Sequence, residues 1–174
     1  MKLQNTDRAT LETIFGKEVF KLLKGHKATL ALIKAGDMPA MDAQEMHGAV
    51  TGYDFQDDKG PVLALFINPE MAIASMNALN AADAATRQLI LRGIMVHELT
   101  HVKQANDGRM VGDGPKCYWE GKEITQPATL QEYMLAPWEV EAYAAQISYV
   151  EGCTYEEAVD RYFTRNNLNV KQAA

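Results

Sequence analysis

Residues 89–102, with the sequence LILRGIMVHELTHV, contain two histidines four positions apart, His97 and His101. On a helix, residues with this spacing lie one above the other on the same face, so both imidazoles can reach one cation. Zn²⁺ is bound by imidazole nitrogen in tetrahedral sites, and two such ligands leave room for a third ligand and a water. The spacing therefore predicts a central helix that carries a zinc site.

Glu98 is the only carboxylate between Asp83 and Asp107, and it lies in an otherwise apolar helix. Burying a lone carboxylate costs several kcal/mol unless a partner compensates its charge. In an H-E-x-x-H motif this glutamate acts as the general base, taking a proton from a metal-bound water. The alternative is an amphipathic core helix whose two histidines are satisfied by hydrogen bonds. The isolated acid favours the metal interpretation.

Length and composition restrict the class of protein. With 174 residues, 47% of them hydrophobic and 23% charged, the chain is expected to form one globular domain over residues 1–174. The net charge of −6 argues against nucleic-acid binding, which requires a clustered basic surface. No apolar run is long enough to span a bilayer. We therefore expect no nucleic-acid and no membrane partner, and the sequence leaves the oligomeric state unknown.

The termini and the cysteines indicate the cellular compartment. The first residues, MKLQNTDR, lack the apolar core of a signal peptide. Cys117 and Cys153 are too few for a disulfide framework, and their spacing is not that of a zinc clamp. A reduced, cytoplasmic setting, in a bacterial or infected host cell, is the simplest expectation.

The pattern of apolar residues and turn residues predicts an α+β fold. Residues 28–35 are apolar, but their pattern does not distinguish a helix from a strand. Residues 62–67 are expected to form a strand, either at a sheet edge, where it could pair with an extended substrate, or in the sheet centre. The expected elements are a first helix capped by Thr6 or Asp7 and ending at Gly25, a β-hairpin pairing residues 49–55 with 61–67, a short helix over 69–79, the motif helix over 84–106 after Asp83 and before Asp107-Gly108, a tight hairpin around Glu120-Gly121, a helix opened by Pro137 and broken at Gly152, and a last helix over 154–163.

A catalytic zinc site needs a third protein ligand. The other two histidines, His26 and His47, lie upstream, and His26 is better explained as a cap at a helix end. Downstream, residues 137–146 (PWEVEAYAAQ) place Glu139 and Glu141 near a helix start, where acidic residues are also common for dipole reasons. The two side chains differ by about 200° around a helix, so only one of them can face the metal.

Two histidines in H-E-x-x-H followed by a helical glutamate resemble the gluzincin branch of the zincin metallopeptidases. The run Glu141-Ala142-Tyr143-Ala144 resembles the glutamate helix of minimal gluzincin catalytic domains. Residues 119–122, Tyr133 and residues 137–142 are also similar to small bacteriophage-associated peptidases predicted from sequence. The resemblance covers residues 84 to 150. It implies a compact zincin-like domain in which the motif helix packs on a small sheet and a C-terminal helix supplies the third ligand.

The resemblance implies zinc held by His97, His101 and Glu141, and Glu98-assisted hydrolysis of peptide bonds. Glu141 is preferred to Glu139 because Ala144, which follows it, permits close helix packing. No Asn precedes either glutamate to mark it as the ligand, so the choice between the two stays open.

Tyr133 is the expected oxyanion stabiliser, with Tyr143 and Tyr118 as alternatives. The sequence shows no recognisable pro-segment, so a narrow protein substrate is expected. A non-catalytic metal-binding protein of phage origin and a zinc hydrolase acting on another bond are the competing hypotheses.

Overall fold

The computed structural model describes residues 1–4, 6–34, 50–52, 62–67, 83–113, 116–125 and 127–168. It combines helices with two small sheets, which confirms the predicted mixture of α and β structure. In chain order the elements are β1 (Lys2–Gln4), α1 (Arg8–Phe15), α2 (Val19–Leu23), β2 (Thr29–Lys34), β3 (Val50–Gly52), β4 (Val62–Ile67), α3 (Ala84–Asn106), β5 (Met110–Asp113), β6 (Lys116–Trp119), β7 (Lys122–Ile124), α4 (Leu130–Leu135), α5 (Pro137–Glu151) and α6 (Tyr155–Arg165).

The first sheet has the strand order β1-β2-β4-β3. Strands β1, β2 and β4 are parallel, whereas β3 runs antiparallel to β4 with Val50 opposite Ala64 and Gly52 opposite Val62. The predicted pairing of residues 49–55 with 61–67 is thus confirmed where both segments are described. The ambiguous stretch at 28–35 forms β2. Because β4 lies between β2 and β3, the edge-strand alternative for residues 62–67 is wrong.

The first predicted helix is divided into two. Asp7 caps α1, its Oδ1 accepting a hydrogen bond from the Thr10 amide at 2.8 Å. The helix ends at Phe15, because Gly16 adopts a φ of 77°, a left-handed conformation that favours glycine. The prediction of one helix continuing to Gly25 is therefore wrong, and α2 starts anew at Val19.

The remaining boundaries follow the sequence closely. Asp83 caps α3 by accepting from the Thr86 amide at 2.8 Å, and the helix ends at Asn106 as predicted. Strands β6 and β7 meet at Glu120 and Gly121, whose φ values of 50° and 79° are those of a tight hairpin turn. Helix α5 stops before Gly152, in agreement with the prediction. The short helix predicted over residues 69–79 lies outside the described residues.

Helix α3 lies between two groups of elements. One side packs Met95, Leu99 and Val102 into an apolar core with α1, α2 and β2; the other buried members of this core are Leu11, Phe15, Val19, Leu23, Ala28 and Leu30. The other side packs along α5, which in turn packs on α6. None of the helices in the described ranges has the length and apolar character that a bilayer crossing requires.

The two long helices α3 and α5 are antiparallel. Gly93, in the first half of α3, faces Val150 near the end of α5, so closely that an added Cβ would lie 2.4 Å from Val150 Cγ2. Gln104, at the end of α3, hydrogen-bonds to the Trp138 carbonyl at the start of α5. The first turn of α5 therefore lies beside the last turns of α3, where the histidines of the motif are located.

Candidate metal centre

The motif side chains lie in the protein interior. His97, Glu98 and His101 are 6%, 6% and 8% exposed, so the buried acid expected from the sequence is present. The two imidazoles face each other, with their Nε2 atoms 3.2 Å apart. Glu98 lies at the flank of this pair, its Oε1 being 3.9 Å from His97 Nε2. One face of α3 thus presents two nitrogen ligands and a neighbouring carboxylate.

Helix α5 adds a third buried group, Glu139, which is 3% exposed. One carboxylate oxygen lies 3.4 Å from His97 Nε2, and the other lies 3.4 Å from His101 Nε2. One potential ligand atom from each of these three residues falls within 4.8 Å of the others. Among the described residues, His97, His101 and Glu139 form a group that could hold a metal ion.

The structure places Glu139, and not the expected Glu141, beside the two histidines. Its carboxylate is bound by Arg109, whose Nη1 lies 2.9 Å from both oxygens. Glu141 follows Glu139 by two residues and so points about 200° away around α5. The helix face that meets α3 carries Glu139, Gln146 and Val150, at positions i, i+7 and i+11, and this places Glu139 on the side of the histidines.

The three groups lie close enough together for one ion to contact all of them. Zinc bonds of about 2.0–2.1 Å to nitrogen or oxygen in a tetrahedron place neighbouring ligand atoms about 3.3–3.4 Å apart. Here the two Nε2 atoms are 3.2 Å apart, and each lies 3.4 Å from one oxygen of Glu139, Oε2 for His97 and Oε1 for His101. Glu139 Oε2 and His97 Nδ1 are buried without a hydrogen-bond partner of good geometry. A cation between the three residues would compensate the buried carboxylate, so the group fits a metal ion.

The two histidines and Glu139 change one another's pKa. Burial alone would raise the pKa of Glu139, but the contacts with His101 and His97 outweigh it and hold that pKa at about 2. Burial lowers the pKa of His97, and nearby His101 opposes a charge there. Burial also acts against charge on His101, but the contacts with Glu139 prevail and raise its pKa. A carboxylate with this pKa is ionised at neutral pH and available to a cation.

Tyrosines surround the histidine and glutamate group. The Tyr143 ring lies edge-on to His97, with centroids 4.3 Å apart, and stacks on Tyr162 at 5.0 Å. Burial raises the pKa of Tyr133, and an interaction with the Glu139 side chain contributes to the rise. Tyr118 lies on β6, opposite Val111 and Glu123. Of the three tyrosines considered from the sequence, Tyr133 and Tyr143 are adjacent to the candidate ligands.

Gln104 is a residue of this site that the sequence did not single out. It is 1% exposed, and its amide contacts both His101 and the backbone of Trp138. Its position three residues after His101 was the available signal, since i and i+3 side chains are neighbours on a helix. Of the other histidines, His26 is half-buried and hydrogen-bonds to no described ligand of the site, and His47 lies outside the described residues. Cys117 and Cys153 are not joined by a disulfide.

Comparison with known proteins adds no assignment. No family model, no curated protein and no solved structure matches this chain.

Proposed function

We propose that this chain is a zinc-dependent metallopeptidase with a zincin-like architecture, which hydrolyses peptide bonds in a peptide or protein substrate. The observation that carries the proposal is the buried triangle formed by His97 Nε2, His101 Nε2 and the Glu139 carboxylate, with sides of 3.2–3.4 Å. The presence of Glu98 beside this triangle supports a catalytic role for the site.

The ligand set favours zinc. Two imidazoles and one carboxylate are a common set at catalytic zinc, where the fourth position stays open for water or substrate. Hard cations such as Mg²⁺ and Ca²⁺ prefer oxygen ligands, and two of the three groups here are nitrogen donors. When bound, zinc would supply a Lewis acid for the peptide carbonyl and would lower the pKa of a water molecule.

Glu98 is the proposed proton carrier. It lies next to the ligand atoms without being part of the triangle, because its Oε1 is 3.9 Å from His97 Nε2. A carboxylate in this position can accept the proton of the attacking water and then deliver it to the leaving amine. Burial at 6% exposure keeps this acid away from bulk water, where it would otherwise be strongly solvated.

Tyr133 is the proposed donor to the oxyanion. A tyrosine phenol is protonated at neutral pH, and burial raises the pKa of this one further. A protonated phenol beside Glu139 can donate a hydrogen bond to negative charge that develops on the substrate oxygen. Tyr143, by contrast, is packed between His97 and Tyr162, a position in which its ring supports the histidine.

The metal assignment is tested by elemental analysis of the purified protein. We expect about one zinc per chain, and we expect His97→Ala and His101→Ala each to abolish it. His26→Ala is the matched control, because it removes a histidine from another part of the fold, and it should retain the metal. Stoichiometric zinc in either motif variant would overturn the assignment.

The catalytic assignment is tested by cleavage of a peptide library with wild type and Glu98→Gln. The Gln variant should keep zinc and fold but lose hydrolysis, since an amide cannot accept the proton. Glu156→Gln, on the exposed surface of α6, is the control for a neutralised glutamate and should cleave normally. Zinc binding with equal turnover in wild type and Glu98→Gln would refute this mechanism. Zinc binding without any cleavage by wild type would instead support a metal-dependent binding protein.

A further inference from the structure

Gln104 connects the two ligand-bearing helices through a buried side-chain amide. The amide Nε2 donates to the Trp138 carbonyl at 3.1 Å, and the amide Oε1 lies 2.9 Å from His101 Nδ1. At 1% exposure, the side chain has no access to bulk water that could exchange for either partner. Both contacts are therefore fixed parts of the interior.

The chemistry of these partners determines where the protons are. The Trp138 carbonyl can only accept a hydrogen bond, so the NH₂ group of Gln104 must face it. The amide oxygen then faces His101, and because this oxygen also can only accept, His101 Nδ1 must carry the hydrogen. A neutral imidazole with its hydrogen on Nδ1 has its lone pair on Nε2, the atom directed at His97 and Glu139.

We propose that Gln104 is a positioning residue that fixes His101 in the Nδ1–H tautomer and thereby presents Nε2 as a ligand atom. The inference rests on the proposed metal site for its purpose, although the tautomer itself is a property of the metal-free protein. The Trp138 carbonyl fixes the orientation of the Gln104 amide, since without it the amide could rotate by about 180° and donate to His101 Nδ1 instead. His97 has no corresponding partner at Nδ1 in the part of the chain that the structure describes.

Such an arrangement affects metal affinity. A histidine that donates its second ring N–H to an acceptor is held in tautomer and orientation and is a more basic ligand. Removing an outer partner of this kind costs about 10–100-fold in metal affinity. Because Gln104 is not itself a ligand, its loss should weaken metal binding without removing a ligand.

The experiment compares wild type with Gln104→Met, Gln104→Glu and the exposed control Gln131→Met. Methionine has similar length but offers no acceptor of comparable strength, whereas a buried glutamic acid can donate its O–H to the Trp138 carbonyl and accept from His101 Nδ1 with its other oxygen. The first measurement is the ¹⁵N–¹H correlation pattern of the imidazoles in metal-free protein, at a pH above the titration of both motif histidines. The second is zinc affinity by competition with a chromogenic chelator.

We expect the Nδ1–H pattern for His101 in wild type, Gln104→Glu and Gln131→Met. In Gln104→Met we expect a shift toward Nε2–H together with zinc binding about 10–100-fold weaker than in wild type. An Nε2–H pattern in wild type, or an unchanged tautomer in a folded Gln104→Met variant, would overturn the inference. The tautomer is measured without metal, so a chain that failed to bind zinc would refute the proposed function and leave this test decisive.

Discussion

Arg109 binds Glu141, its Nη1 lying 2.9 Å from both carboxylate oxygens. The guanidinium also pairs with Glu120 at 2.9 Å and lies over the Trp119 ring, with its Cζ 4.6 Å from the centroid. Arg109 thus connects the three-stranded sheet β5-β6-β7 to the outer side of α5. The inner side of the same helix turn carries Glu139, so the two glutamates contact different partners.

The two neighbouring glutamates should therefore differ in their effect on zinc. We expect Glu139→Gln to weaken zinc binding by more than the roughly 10–100-fold typical of an outer partner, because a ligand is lost. Glu141→Gln should bind zinc nearly as wild type does and should lower stability by no more than about 1 kcal/mol, as is usual for a partly exposed ion pair. Zinc titrations and urea unfolding measure the two effects. The reverse order of zinc affinities would return the ligand assignment to Glu141.

The phenol of Tyr133 should matter for turnover rather than for metal binding. Tyr133→Phe keeps the ring but removes the hydroxyl, so we expect zinc content to be unchanged and turnover to fall by about 10²–10³-fold, the usual effect of losing an oxyanion donor. Tyr155→Phe, which alters a tyrosine of similar exposure away from the ligand triangle, is the control. Equal turnover in wild type and Tyr133→Phe would remove this residue from the mechanism.

The close approach of α3 and α5 at Gly93 allows a stability test that is independent of the metal. A Cβ at Gly93 would lie 2.4 Å from Val150 Cγ2, so Gly93→Ala should destabilise the fold by about 1–3 kcal/mol through overpacking. Alanine stabilises a helix relative to glycine by about 1 kcal/mol, and this stabilisation should become measurable once the Val150 methyl is removed.

The matched background is Val150→Ala, in which Gly93→Ala should cost little or become stabilising. Urea unfolding of the two single variants and the double variant gives the coupling energy between the positions. Additive effects of the two substitutions would show that the helices do not meet at this point.

Glu151 should make the α5–α6 junction sensitive to pH. Hydrogen bonds from Arg165 and Arg161 lower the pKa of Glu151 below its usual value of 4.5, despite some burial that acts in the opposite direction. A carboxylate with a lowered folded-state pKa stabilises the fold above pH 4.5, and this contribution is lost as the pH falls through the folded-state value.

We therefore expect Glu151→Gln to cost about 0.5–1 kcal/mol at neutral pH, and the difference from wild type to shrink as the pH falls below 4.5. Unfolding by urea at several pH values measures it, and added salt should reduce the difference at neutral pH. A difference that grew on acidification would contradict the ion-pair assignment.

The sequence predicted those elements whose boundaries depend on local chemistry. Asp83 and the Asp107-Gly108 pair marked the two ends of the motif helix, and Glu120-Gly121 marked the turn between β6 and β7. The break at Gly16 was missed because apolar residues continue at helical spacing on both sides of it, whereas the conformation of the glycine depends on packing. Arg92, far along the chain, donates to the Phe15 carbonyl at 2.9 Å and completes that helix end.

The sequence favoured Glu141, whereas the structure brings Glu139 to the histidines, for a related reason. Glu141 was preferred because Ala144 follows three residues later, yet Ala142 has the same relation to Glu139, and both alanines are fully buried. Local spacing therefore could not distinguish the two glutamates. The distinction comes from the antiparallel alignment of α3 and α5 and from Arg109, which lies on another element. Such contacts between distant segments are not encoded in the periodicity of either helix.

The position of Glu139 on a helix separate from the histidines has a consequence for folding. Metal bound by all three residues would close the chain between His101 and Glu139 into a loop that contains the whole three-stranded sheet β5-β6-β7. Because the three side chains come together only in the folded chain, the ion would bind the folded state in preference to the unfolded one. At a free zinc concentration about 100 times the dissociation constant, this linkage would add about 2.7 kcal/mol to the stability of the folded state. The availability of metal in the surroundings would then control how long the protein persists.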